Sequence, residues 1–185
     1  MKDFLNQFEN LDVPIHGVRL PSFDIENKYK RENGLSESVD NYDFLRGMCL
    51  QGFNKMGLKK NTKKYKVYVE RVKKELAILK ELEFVDYILL VWTVVNFCKE
   101  KNIPTGLGRG SAAGSLVLFL IGVTGIDPIR YDLYFERFIS KIRAKKQVID
   151  GVTYLDGSLM CDVDLDICYY NRGEVIKFLE ENFEG

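Results

Sequence analysis

The sequence predicts an α+β fold in which a small mixed sheet is flanked by helices, and three features predict it. Apolar residues recur at helical spacing across residues 40–57 and 65–98, the mark of helices with one buried face. The string VTYL alternates between two turn signals, Asp150-Gly151 and Asp156-Gly157, as a strand would. CDVDLDIC, residues 161–168, alternates carboxylates with apolar residues. In an extended strand Asp162, Asp164 and Asp166 share one face, and Val163, Leu165 and Ile167 share the other. Carboxylates about 7 Å apart repel by roughly 2 kcal/mol at an effective dielectric of ~20, so a positive partner is expected beside them.

Residues 1–37 show no sustained period, and RLPSFDIENKYKRENG reads as an extended, loop-rich entry. Asp40 is a good helix N-cap with Asp43 three residues on. Tyr42, Leu45, Cys49, Phe53 and Met56 then recur at helical spacing until Gly57 ends the run. From Tyr65 a second helix places Val69, Val72, Leu76, Leu79 and Leu82 on one face. The apolar stretch that follows, to Cys98, contains Asp86 and Asn96. It falls short of the ~18 residues of a membrane span and reads as a buried core helix. Residues 103–105 read as a short strand, 106–110 as a glycine-rich turn, and 111–123 as a helix of small and apolar residues. The chain turns at Asp127-Pro128, YDLYFERFI is another amphipathic element, and residues 145–159 form a hairpin leading into the aspartate strand. Residues 172–183 close the chain as a helix.

The totals suit one globular domain or a large piece of one: 185 residues, 46% hydrophobic and 29% charged, with zero formal net charge. A polyanion would have to be met by a local patch. Residues 55–74 supply one, with nine Lys or Arg against the single acid Glu70. The bland account is a solvated helix face; the functional one is contact with a phosphate backbone, in which Lys59, Lys60, Lys63, Lys64 and Lys66 are the candidates. Cys49, Cys98, Cys161 and Cys168 lack C-x-x-C spacing and read as reduced cytosolic thiols, and His16 stands alone.

Two strings carry chemistry. GLGRGSAAGS has neither the Lys of a P-loop nor G-x-G-x-x-G spacing. A glycine loop entering a helix still offers backbone N–H groups to an anion, and Arg109 and Ser111 add a guanidinium and a hydroxyl. Close helix packing by Ala112, Ala113 and Gly114 is the competing account. CDVDLD fails as an EF-hand loop, because Ile167 and Gly173 occupy the places of its Gly and Glu. Two carboxylates on one face instead suit Mg²⁺, which neutralises a triphosphate and activates an attacking hydroxyl. A Gly-Ser turn followed by an acid-apolar-acid strand is the arrangement of the nucleotidyltransferase superfamily.

IPTGLGRGSAAGSLVLFLIGVTGIDPIRYDLYFERF, MCDVDLDIC and RGEVIKFL, in that order, resemble the α (polymerase) subunit of bacterial DNA polymerase III, the C-family replicative polymerases. YVERVKKELAILKELEFVDYILLVW resembles the segment just upstream. The resemblance implies a nucleotidyltransferase-like, polymerase-beta-like palm. Residues 65–185 would be its core with thumb-like helices, incomplete at the C-terminus, and residues 1–64 a loop-rich and helical part of the palm and thumb region. It implies that Asp162 and Asp164 are catalytic and bind the Mg²⁺ of a two-metal site, with Asp166 at its margin. Arg109, Gly110, Ser111 and Arg137 would hold nucleotide phosphates. Cys161 stands where the family has Pro, Val163 where it has an aromatic or Ile, Leu107 where Pro is common, and the hairpin at 145–159 replaces a short connection.

The implied reaction is nucleotidyl transfer from dNTP to a primer 3′ hydroxyl during DNA replication, in the cytoplasm and away from any membrane. The partners would be primer-template DNA and dNTP, with a third catalytic Asp and the fingers on a separate chain that also reaches the sliding clamp. The isolated chain is then expected to be inactive, as part of a split, phage-like or truncated polymerase. Two rivals stand beside this: a non-catalytic remnant or DNA-binding module, and a small template-independent nucleotidyltransferase.

Overall fold

A computed structural model describes residues 18–19, 23–139, 146–149, 152–155 and 161–183. Helix α1 is Asn27–Glu32 and α2 is Asn41–Lys55. The Asp40 carboxylate accepts the Asp43 N–H at 2.7 Å and starts α2 as its sequence position demands. Helix α3 is Lys63–Glu81, two residues earlier than the apolar period suggests, because Thr62 Oγ1 accepts the Tyr65 N–H at 3.1 Å. Helix α4, Val85–Glu100, is buried on most of its circumference, and Trp92 meets Tyr29 of α1 and Phe44 of α2 edge-on. That burial accounts for its largely apolar composition. Helix α5 is the short Leu116–Leu120, and α6 is Arg172–Phe183, which stacks Phe178 on Phe97 of α4 at 4.1 Å. Together these bury one main core, in which Phe44, Leu45, Leu79, Ile88, Leu89, Leu116 and Phe135 are fully enclosed.

The expected α+β fold with a small mixed sheet is overturned. The described residues are predominantly helical. The sheet among them is a minor, wholly antiparallel ribbon: β1 (Val18–Arg19), β2 (Lys146–Ile149) and β3 (Val152–Leu155) in the order β1-β3-β2. The aspartate segment is no part of it. Residues 161–166 have no regular structure, and the expected strand at 103–105 shrinks to one bridge, Thr105 to Ile167. A strand needs neighbours along its length for its N–H and C=O groups, and periodicity in the sequence cannot supply them.

Two helical expectations also change. The helix expected over 111–123 breaks at Ser115, which is extended (φ −94°, ψ 120°) between a 3₁₀ turn at Gly110–Gly114 and α5. The amide groups that a continuous helix would use internally are taken there by a buried carboxylate, described below. The amphipathic element expected in YDLYFERFI reduces to the 3₁₀ turn Phe135–Arg137, since Asp132 adopts φ 55°. His16, both Asp-Gly turns and the approach to Cys161 lie outside the described residues. All four cysteines are free, and among the described residues no helix is long and apolar enough to cross a membrane.

Candidate functional site

The glycine loop and the aspartate segment lie against each other. Gly106 N–H donates to the Asp166 carbonyl at 2.9 Å and Cys168 N–H to the Pro104 carbonyl at 3.2 Å, while the Gly125 N–H holds the Leu107 carbonyl at 2.7 Å. The segment faces inward through Val163 and Leu165, which pack on the core, and through buried Cys161, whose thiol burial pushes up to about 12. Alternation therefore survives without a strand: apolar residues turn to the core and carboxylates to solvent.

The positive partner that the carboxylate row requires is Arg109. Its Nη2 lies 3.3 Å from Asp164 Oδ1 and its Nε 3.2 Å from Asp166 Oδ1. Gly110 follows with φ 63°, and a Cβ built there would stand 3.1 Å from Asp164 Oδ2. A side chain would be strained in that backbone conformation and would crowd the carboxylate. The structure thus brings together Arg109, Gly110, Asp164 and Asp166. Asp162 is exposed on the same segment, Ser111 is half-buried in the 3₁₀ turn, and Arg137 is exposed on the turn Phe135–Arg137.

A buried ion pair fixes the loop from behind. Glu75 of α3 is fully enclosed; its Oε1 accepts the Leu116 N–H at 3.0 Å, and its Oε2 accepts the Val117 N–H at 3.0 Å and the Ser115 hydroxyl at 2.9 Å. Arg71 Nε donates to Oε1 at 2.6 Å, and Arg71 Nη2 donates to the carbonyls of Gly114 at 2.8 Å and Leu133 at 3.0 Å. Burial pushes the Glu75 carboxyl up, opposed by these amides and by Arg71. The pair ties the Gly110–Gly114 turn to the stretch that leads into Phe135–Arg137. Sequence reasoning missed it, counting Arg71 with the surface cations. The available signal was the i, i+4 spacing of Arg71 and Glu75 beside the core-facing Leu76 and Leu79.

Tyr87 was missed as well. Its phenol, pushed up to about 12 by burial first and then by Cys161, Asp162 and Asp164, sits at the back of the acidic segment near the Val163 backbone. Nothing local marks it in the apolar α4. Lys59, Lys60, Lys63, Lys64 and Lys66 are all exposed, on the loop before α3 and its first turns. Lys63 is about 18 Å along the helix axis from Glu75 at 1.5 Å per residue, so these lysines form a separate patch.

Among the described residues no three His, Cys, Asp or Glu side chains converge as a ready metal cage. The chemistry of Asp162 and Asp164 nevertheless fits Mg²⁺, which prefers hard oxygen donors, needs only one or two carboxylates and keeps its waters.

A family model, the bacterial DNA polymerase III alpha NTPase domain, matches residues 43–185. The chain is 35% identical over 163 residues to a DNA polymerase III subunit alpha of Helicobacter pylori strain J99, covering 88% of this chain and 12% of that protein. It is 35% identical over 182 residues to the subunit of Ureaplasma parvum, covering 97% of this chain and 16% of the relative. Against the Bacillus subtilis subunit the identity is 34% over 173 residues, or 94% and 13% of the two chains. The chain therefore spans 12% to 16% of the length of these relatives.

Proposed function

This chain belongs to the bacterial DNA polymerase III alpha family, and from that premise we propose that it is part of a DNA-directed DNA polymerase acting in DNA replication, transferring nucleotide from dNTP to a primer 3′ hydroxyl. The observation that carries the reading is the apposition of Arg109 and Gly110 to the Asp164 and Asp166 carboxylates. A triphosphate needs cationic and hydrogen-bonding groups beside the acids that hold its metal, and the two lie in contact here.

Asp162 and Asp164 would hold Mg²⁺, which when bound supplies charge neutralisation and a more acidic attacking hydroxyl. Arg109 binds phosphate oxygens through its planar fork and Ser111 through its hydroxyl. Gly110 leaves the space a phosphate needs, and Arg137 adds positive charge from the neighbouring turn. The Arg71–Glu75 pair keeps the two phosphate-binding segments in fixed relation.

The exposed lysines before and at the start of α3 contact the DNA backbone. Their position supports this: the first turn of α3 carries no acid, and cations at a helix N-terminus oppose the helix dipole unless an anion joins them. The remaining segments of such a polymerase, in the same or another polypeptide, complete the site and meet primer and template.

Asp162→Asn in the reconstituted polymerase is the test. Mg²⁺-dependent primer extension should be abolished while salt-sensitive DNA binding persists. Full extension by the variant overturns the assignment.

A further inference from the structure

On the reading above, Arg109 meets nucleotide phosphates, and we infer that Asp166 is the positioning residue that aims it, standing outside the metal's shell. Its backbone is pinned to the loop it serves, by the Gly106 N–H at 2.9 Å and the bridge between Thr105 and Ile167. A Cβ on Gly106 would come within 2.9 Å of the Asp166 Cβ, so loop and acid touch with no room for a side chain between them. From that fixed place Asp166 takes Nε of Arg109, while Asp164 takes Nη2 at the far end of the same group.

Two carboxylates beside different nitrogens of one planar guanidinium hold it between them as ion pairs. Their roles then divide. The contact at Nη2 is the one a phosphate oxygen replaces, which leaves Asp164 available to the Mg²⁺ that it and Asp162 would hold. The contact at Nε persists and keeps the fork facing the phosphates throughout. Asp164 is 39% exposed, so a phosphate oxygen reaches the Nη2 contact without unpacking the core.

The test is calorimetric binding of inorganic tripolyphosphate to the 185-residue chain in EDTA, where no metal takes part. Asp166→Asn should weaken binding about two- to fivefold, the size of an exposed ion pair, although it removes a negative charge whose field alone would repel the anion. In an Arg109→Gln background, Asp166→Asn should weaken binding no further, because the coupling runs through Arg109. Circular dichroism checks that each variant is folded. Tighter binding by Asp166→Asn, or equal weakening with and without Arg109, overturns the inference and leaves the phosphate role of Arg109 standing. Unchanged binding in Arg109→Gln, or none by the unaltered chain, overturns that phosphate role and the inference with it.

Discussion

Arg71 meets Glu75 with the carboxylate fully buried, whereas Arg109 meets Asp164 and Asp166 with all three side chains more than a third exposed. The chemistry is the same and the loop between them is shared. In the first pair, desolvation is offset only because Glu75 accepts from two amides, a hydroxyl and a guanidinium together. That set cannot exchange partners without leaving buried groups unsatisfied. In the second, water already reaches every group, so a phosphate can replace a carboxylate at little cost. One contact builds the loop; the other is available for binding.

Substitutions at the two places should separate these roles. Glu75→Ala should destabilise the chain by about 3–5 kcal/mol in urea unfolding, the range for breaking a buried pair. Replacing Arg71 and Glu75 together by Met sharpens the point. A bare buried pair is often neutral to replace, but here the Leu116 and Val117 amides lose their acceptor, so the double variant should remain clearly destabilised. A double variant as stable as the parent would break the comparison.

Lys74 and Glu136 give an exposed pair beside the same loop, hydrogen-bonded to each other. That bond first, then the local backbone, holds the Glu136 carboxyl below its ordinary value. A lowered carboxyl contributes stability above its unfolded pKa and loses it as pH falls through the folded one. Lys74→Met should therefore cost only a few tenths of a kcal/mol at neutral pH, and the difference should vanish in strong acid. A penalty that persists in acid would mean that packing, not charge, is lost.

Arg109→Gln should have a similarly small effect on stability, within about 0.5 kcal/mol in the same unfolding assay. A loss comparable to that of Glu75→Ala would show that the exposed cluster builds the loop too.

Much of the fold was legible because its causes are local. Asp40 and the spacing from Tyr42 to Met56 specify α2, and Arg172–Phe183 was read to the residue. The repulsion within the carboxylate row called for a cation, and the row has Arg109. What misled was alternation itself. CDVDLD alternates because one side faces core and the other water, a demand that an irregular extended segment meets as well as a strand. The helix break at Ser115 was equally hidden, since small and apolar residues run through it without a Pro.

The amino-acid sequence by itself determined the longer helices, the Asp40 cap and the family, since period, cap and motif are all properties of nearby residues. The tertiary structure alone decided that the aspartates lie outside any sheet, that Glu75 rather than a continuing helix receives the amides of Leu116 and Val117, and that Arg109 spans two carboxylates. Each depends on groups about forty or more residues apart in the chain. Such contacts form only when burial forces polar groups to find partners wherever the packed core has placed them.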